Sequence, residues 1–184
     1  CQIASEKVKA VLSGEGADEI FGGYNIYHNP ADMASYFKIP RPIRKAVGAV
    51  AEKLPHKHGI NYLIRGSKDL DERFIGNAYI FSEKERKDIL SIKTSAPDAM
   101  AITKPFYDKV RDQDQVTQMQ YIDLHLWMTG DILLKADKMS MAHSLELRVP
   151  FLDRKVMELA EQIPVKDRVT ETETKYAMRL AALQ

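Results

Sequence analysis

The chain has 184 residues and a net charge of +1, with 45% hydrophobic and 29% charged residues. That composition describes a globular protein able to bury one real core, and it excludes the strongly basic footprint of a nucleic-acid binder. No apolar run approaches the roughly 18 residues of a membrane span, and the single cysteine cannot close an internal disulfide, so a soluble, reducing compartment without membrane or nucleic-acid partners is expected.

At the start, CQIASEK lacks the pattern of a signal peptide. The absence of an initial methionine and the helix-like run reaching Gln184 predict a piece of a longer protein, residues 1–184 forming one domain truncated at both ends. Cys1 reads either as a nucleophile with its own amine as base or as a small buried hydrophobe on the tail of a helix, and the second reading is favoured.

The alternating run Lys7-Val8-Lys9-Ala10-Val11-Leu12 predicts a strand. Directly behind it, SGEGADEIFGGY (residues 13–24) places three carboxylates and four glycines in twelve residues. A glycine-flexible turn after a strand leaves backbone N–H groups to face an anion, and acids in that turn can hold the divalent cation of a polyphosphate. The tetrapeptide SGEG also suits an ordinary hydrophilic turn. Ala17 to Phe21 is expected to be a short helix stopped by Gly22-Gly23.

Prolines 30, 40, 42 and 55 divide the next stretch into short helices, the clearest from Ile43 to Leu54 with the apolar Val47, Val50 and Leu54 on one face. The basic group Lys38, Arg41, Arg44 and Lys45 reads as a solvated helix face rather than a phosphate patch. Helices follow at Gly59 to Arg65 and at Leu70 to Ile80, the latter with Leu70, Phe74 and Ala78 as a buried stripe. Ser82-Glu83-Lys84-Glu85 has the capping-box form and starts a helix to Leu90, and Ser91 to Pro105 reads as a polar surface connection.

Val116, Met119, Ile122 and Leu126 recur in steps of three and four, predicting a core helix from about Asp114 to Met128. His125 near its end has no second His or Cys at metal spacing and reads as structural. Gly130-Asp131 is expected to break the helix, with Asp131 either capping the next one or lying near a substrate. Asp153 is a plausible N-cap for a helix to Ile163 buried through Val156, Leu159, Ala160 and Ile163, and Thr174 to Leu183 begins another. The chain is therefore predominantly α-helical with one short strand. A single buried strand followed by helices points to part of an α/β parent with a parallel sheet, whose ligands bind at the carboxyl ends of strands, where residues 13–19 lie.

SGEGADEIFGGY and DILLKADKMSMAHSLELRVPFLDR (residues 131–154) resemble two signatures of the glutamine-hydrolysing asparagine synthetases. The resemblance implies an adenine-nucleotide-hydrolase-like, Rossmann-type domain of a cytoplasmic ligase that activates aspartate with ATP and Mg²⁺ as β-aspartyl-AMP. Ammonia from a glutaminase domain outside this chain then completes the amide, and a homodimeric parent is an assembly it allows. Carried over by position, Ser13, Gly14 and Gly16 match the turn against the nucleotide, Glu15 the acid associated with adenylate formation, and Asp18 a magnesium ligand. Glu19 reads as a helix-dipole partner. Lys175 and Arg179 match a basic pair after the second signature, Lys175 on the nucleotide, with Glu173 where a glycine is frequent. Lys138 stands where many relatives carry arginine and is a second nucleotide-side cation. Interleaved with apolar residues, Asp137, Lys138, Glu146 and Arg148 are otherwise expected to form internal ion pairs bracing the site. The SGGxDS loop would precede Cys1 and the RxKxGF-like segment would follow Gln184, so the piece alone is expected to be inactive. Two other readings stand beside this one: a relative acting on another carboxylate, such as a β-lactam-synthetase-like enzyme, and a non-catalytic helical interaction module.

Overall fold

Residues 1–55, 58–92 and 94–183 are described by a computed structural model. They divide into two compact units, Cys1–His28 with Val116–Gln184, and Asn29–Gln115.

The first unit carries the sheet. A helix at Gln2–Ser5 leads into β1, Ala10–Leu12, shorter than the expected strand because the amides of Lys7 and Val8 are spent on the helix end, both donating to Ala4 O at 2.9 Å. Cys1 is exposed rather than buried. A second strand, β2 (Glu146–Arg148), pairs parallel to β1 in the register Ala10 to Glu146, Val11 to Leu147 and Leu12 to Arg148. The sequence pattern predicts only one strand. The alternation Leu145, Leu147, Val149 was the available signal for the other, masked by the charges between.

Behind β1 the helix Ala17–Phe21 forms as expected and ends where Gly22 adopts a left-handed φ of 73°, a conformation open to glycine at little cost. Ile20 and Phe21 turn inward onto Ala160, with Phe151, Leu152, Val156, Met157, Ile163 and Met178 around them. The helix under Ala160, Arg154–Ala160, is capped by Asp153, whose Oδ1 accepts from Lys155 N at 2.8 Å. Leu159 points outward, against expectation, while Val156 and Ile163 face in.

The long helical run departs most from its predicted form. It is α-helical over Gln115–Ile122, π-helical over Asp123–Ile132 and α-helical again over Leu133–Met141, with no break at Gly130-Asp131. Val116, Met119 and Ile122 are buried as predicted, but the wider π turns shift the phase. Leu126 is left half-buried, while Asp123 and Met128 enter the core. His125 is exposed, its Nδ1 2.9 Å from Tyr121 O.

The second unit is helical. Arg41–Ala51 and His58–Ser67 pack closely where Gly48 meets Ser67, whose Oγ would lie 2.2 Å from any Cβ at position 48. The buried face of Arg41–Ala51 is Arg44, Gly48 and Ala51, whereas Val47 and Val50 are exposed, so the apolar face is turned outward. Arg44 accounts for this: its Nη1 donates to Gly66 O at 2.6 Å and its Nε to Ile39 O at 3.0 Å, and its guanidinium lies 5.0 Å from the Phe37 ring centroid. Arg41 pairs with Asp69 and Lys45 with Glu72, as a solvated face would. The expected helix to Ile80 stops at Leu70–Arg73, since Phe74 turns extended to bury its ring and Gly76 takes a φ of 98°; Ala78 is exposed. Ser82 and Glu85 make the reciprocal capping box that opens Glu83–Ile89. The predicted connection Ser91 to Pro105 is helical from Ala99, where Asp98 caps Ala99–Tyr107 despite Pro105; Lys93 within it lies outside the described residues.

Candidate active site

Parallel pairing fixes where the acidic turn starts. Ser13 N donates to Arg148 O at 2.8 Å, so the turn leaves the sheet at its carboxyl end. The Ser13 hydroxyl donates to the Glu15 carboxylate, and both residues are half-buried. Gly14 is exposed, with nothing within 4 Å of a Cβ built there, which leaves open space beside the Ser13–Glu15 pair. Gly16 has the opposite character: its φ of 93° lies in the left-handed region that favours glycine, and a Cβ there would stand 2.5 Å from Leu152 Cδ2.

Asp18, in the first turn of Ala17–Phe21, accepts an ion pair from Lys175 Nζ at 2.9 Å. Two of the sequence-predicted residues, 157 positions apart in the chain, are thus brought together. Lys175 reaches Asp18 from a left-handed backbone, φ 52°, while its own amide donates to Gly22 O at 3.2 Å. Gly23 makes room for both side chains, since a Cβ there would meet Asp18 Oδ1 at 1.9 Å and Lys175 Cε at 2.3 Å.

Glu19 is far more enclosed than a dipole partner needs to be, at 1% exposure. Tyr24 OH donates to its Oε1 at 2.5 Å, and Trp127 Nε1 donates to the same phenol oxygen at 3.2 Å. Burial raises the Glu19 pKa and outweighs the opposing hydrogen bond from Tyr24; Tyr24 is raised too, by burial and then by that carboxylate. Tyr27 OH donates to the fully buried Asp123 at 2.7 Å, and burial followed by the Asp123 charge raises Tyr27 well above an ordinary phenol. Gln120 closes the lattice: its Nε2 donates to Glu19 O at 2.6 Å and Ile20 O at 3.0 Å, and its Oε1 accepts from Arg168 Nη1 at 2.6 Å. Trp127 of the π-helical segment thus reaches the short helix through the Tyr24 phenol on Glu19, Asp123 of the same segment holds Tyr27, and Asp18 is half-exposed.

The remaining predicted residues are placed differently. Asp131 lies inside the continuous helix and so caps nothing; its partner is Lys135, one turn on, at 3.8 Å. Asp137 and Lys138 are exposed, and Glu146 and Arg148 pair with each other at 2.8 Å on the surface, so the expected internal ion pairs do not form. Both charges of that pair point away from the pleat whose inward residue is Leu147.

The asparagine synthase family model matches residues 1–184. The chain belongs to that family. A Mycobacterium bovis relative is 46% identical over 179 residues, which cover 97% of this chain and 28% of its own length. Asparagine synthetase [glutamine-hydrolyzing] 1 of Bacillus subtilis is 44% identical over 180 residues, with the same coverage, 97% and 28%. Asparagine synthetase [glutamine-hydrolyzing] 3 of the same organism is 28% identical over 181 residues, covering 98% of this chain and 25% of its own length. The chain thus spans about 28% of the length of the first two relatives. No solved structure gives a significant match.

Within this asparagine synthase family chain, sequence reasoning undervalued Glu19 and passed over Tyr24, Tyr27, Gln120 and Asp123. Tyr24 closes the first signature and was visible there. Gln120 and Asp123 stand four and seven residues after Val116, on the same helix face as that apolar residue, and their polarity masked the spacing. As a donor set, Asp18 supplies one carboxylate, and no group of three or more His, Cys, Asp or Glu side chains fit to hold a metal occurs among the described residues. A lone carboxylate suits Mg²⁺, which takes one or two protein carboxylates and completes its octahedron with substrate phosphates and water. Among the described residues no helix is long and apolar enough to cross a membrane.

Proposed function

We propose that the chain is the synthetase portion of a longer glutamine-dependent asparagine synthetase, with the fold of the adenine-nucleotide hydrolases, in which ATP activates aspartate for amide formation. An oxygen of the aspartate side-chain carboxylate attacks the α-phosphorus of ATP, forming β-aspartyl-AMP as the bond to pyrophosphate breaks. Ammonia then attacks the acyl carbon and AMP leaves, giving asparagine. The ammonia comes from a glutaminase domain outside the residues described, and the enzyme works as a cytoplasmic protein on small molecules, with a homodimer as its assembly.

Two anions must approach each other in the first step, so the site needs cations and fixed orientation. Ser13 and Gly14 line the open side of the turn where the nucleotide fits, Gly16 holds the turn against Leu152, and Glu15 is oriented by the Ser13 hydroxyl. Asp18 would hold Mg²⁺, which when bound neutralises the triphosphate and steadies the leaving pyrophosphate. Lys175 supplies a positive charge for the phosphates. Lys138 and Asp131 enter as site residues through the second signature, Asp131 pairing with Lys135 and Lys138 exposed.

The observation that carries this reading is the gathering of Ser13, Glu15, Asp18 and Lys175 at the carboxyl end of a parallel strand pair, in a chain of the asparagine synthase family. The test is pyrophosphate release by the full-length protein with aspartate, ATP and Mg²⁺. Glu15→Ala and Asp18→Ala are expected to lower it by about 100-fold or more, on the scale of losing one transition-state electrostatic contact, while glutamine hydrolysis persists. Unaltered pyrophosphate release in both variants would refute the assignment, and a screen of other carboxylic acids in the same assay fixes the substrate.

A further inference from the structure

We infer that Lys175 makes the acidic turn selective for the metal–nucleotide complex over the free divalent cation, by occupying Asp18 until phosphate oxygens draw its ammonium away. The inference rests on the proposed nucleotide site and adds a specificity-determining role for a residue otherwise read as a simple phosphate contact.

Several independent features hold Lys175 on Asp18. The ammonium is 2.9 Å from Asp18 Oδ1, and the lysine side chain is mostly buried, with 24% of its surface exposed. The backbone amide is tied to Gly22 O at 3.2 Å. The backbone itself is left-handed, φ 52°, a conformation that side-chain-bearing residues rarely adopt and that aims this one back across the Gly22-Gly23 turn. Gly23 is the gap that admits both side chains, because a Cβ there would collide with Asp18 Oδ1 and Lys175 Cε at once. An exposed lysine pairing casually with a carboxylate needs neither the anchored backbone nor the glycine gap.

Charge balance gives this arrangement a consequence. With the pair closed, Asp18 is already neutralised, and a free divalent cation must displace an ammonium that is tethered to stay close, then share one carboxylate with it. A nucleotide polyphosphate changes the exchange, because its oxygens receive the ammonium as the carboxylate is released to the metal. The metal would keep its phosphate contact while the lysine–carboxylate contact is replaced by one lysine–phosphate and one carboxylate–metal contact, and no charge is left unpaired. Metal occupancy of Asp18 is thereby coupled to nucleotide occupancy.

The experiment uses the full-length protein and Mn²⁺ as the probe, followed by water-proton relaxation with and without a non-hydrolysable ATP analogue. The wild type is expected to take up Mn²⁺ at this site only with the analogue. Lys175→Met keeps the backbone amide and the aliphatic stem, and it is expected to bind Mn²⁺ without nucleotide about tenfold more tightly than the wild type, a gain abolished by adding Asp18→Asn. Lys175→Arg, which keeps the charge, is expected to stay within about twofold of the wild type without nucleotide. Nucleotide-free Mn²⁺ affinity unchanged in Lys175→Met, with Asp18→Asn still abolishing analogue-assisted binding, overturns the inference and leaves the nucleotide site standing. Analogue-assisted binding that survives Asp18→Asn overturns both.

Discussion

The two units bury charge in opposite ways. Around the acidic turn, the enclosed groups are carboxylates, Glu19 and Asp123, and phenol hydroxyls donate to both. In the helical unit the enclosed charge is the guanidinium of Arg44, which donates to two backbone carbonyls and lies over Phe37 beside Arg73, itself 4.7 Å from the same ring centroid. A guanidinium on carbonyls and an aromatic face ties loops and helices together and leaves nothing for a ligand to do. Here phenol hydroxyls meet the buried carboxylates, while the half-exposed Asp18 next to Glu19 in the chain pairs with Lys175. Buried charge is met by carbonyls and an aromatic ring in one region and by phenol hydroxyls in the other, beside the turn of the proposed site.

Breaking the scaffold side should cost the most stability. Arg44→Met keeps the stem but strands Gly66 O and loses the aromatic contact, for an expected loss of about 2–4 kcal/mol in chemical unfolding. It should also raise the pKa of Arg73, which burial and then the charges of Arg65 and Arg44 pull down to about 10. Pyrophosphate release measured below the unfolding transition should be unaffected, and a selective loss of that activity would blur the contrast between the units.

On the other side, Tyr27→Phe removes the phenol donor of the buried Asp123 and should cost about 1.5–3 kcal/mol, as for a hydrogen bond to a charged group. Its effect should extend to the pyrophosphate assay, because the Tyr27 ring packs at 5.7 Å on Tyr24, whose hydroxyl donates to Glu19 in the helix that carries Asp18. A variant equally unstable but fully active would mean that this pair is scaffold as well.

The smallest effect is a difference of sign. Glu83 and Asp108 are held below the ordinary carboxylate range, Glu83 by Arg86 and Asp108 by Lys104 and then Arg111, so what they contribute is present above their unfolded pKa values and is lost as pH falls through the folded ones. Glu19 is raised by burial, so its folded form binds its proton more tightly and stability falls as pH rises from the unfolded pKa through the raised one. Carboxylate titrations followed by NMR should show Glu19 above, and Glu83 and Asp108 below, the ordinary range. A Glu19 titrating with the other two would remove the electrostatic half of the comparison.

Local rules were legible where a few neighbouring residues decide the outcome. Gly22 ends the Ala17–Phe21 helix, Ser82 and Glu85 form the capping box, and Asp153 caps its helix, each as read from residues within a turn of one another. Periodicity failed where burial depends on a partner elsewhere. Val50, on the apolar face of its helix, is 63% exposed, because Arg44 finds Gly66 O and turns the helix over. The expected internal pairing of Glu146 and Arg148 became a surface pair once the segment joined a sheet.

By itself, the sequence determined that a strand runs into a glycine-rich acidic turn and a short helix, and the two signatures carried the family, because both are encoded in contiguous residues. Only the tertiary structure decided what the turn touches. Lys175 reaches Asp18 across 157 positions, and Trp127 of the π-helical run donates to the Tyr24 phenol that meets Glu19. Contacts of that kind follow from chain closure and from the phase of a distant helix, and neither quantity is written in the spacing of the residues that meet.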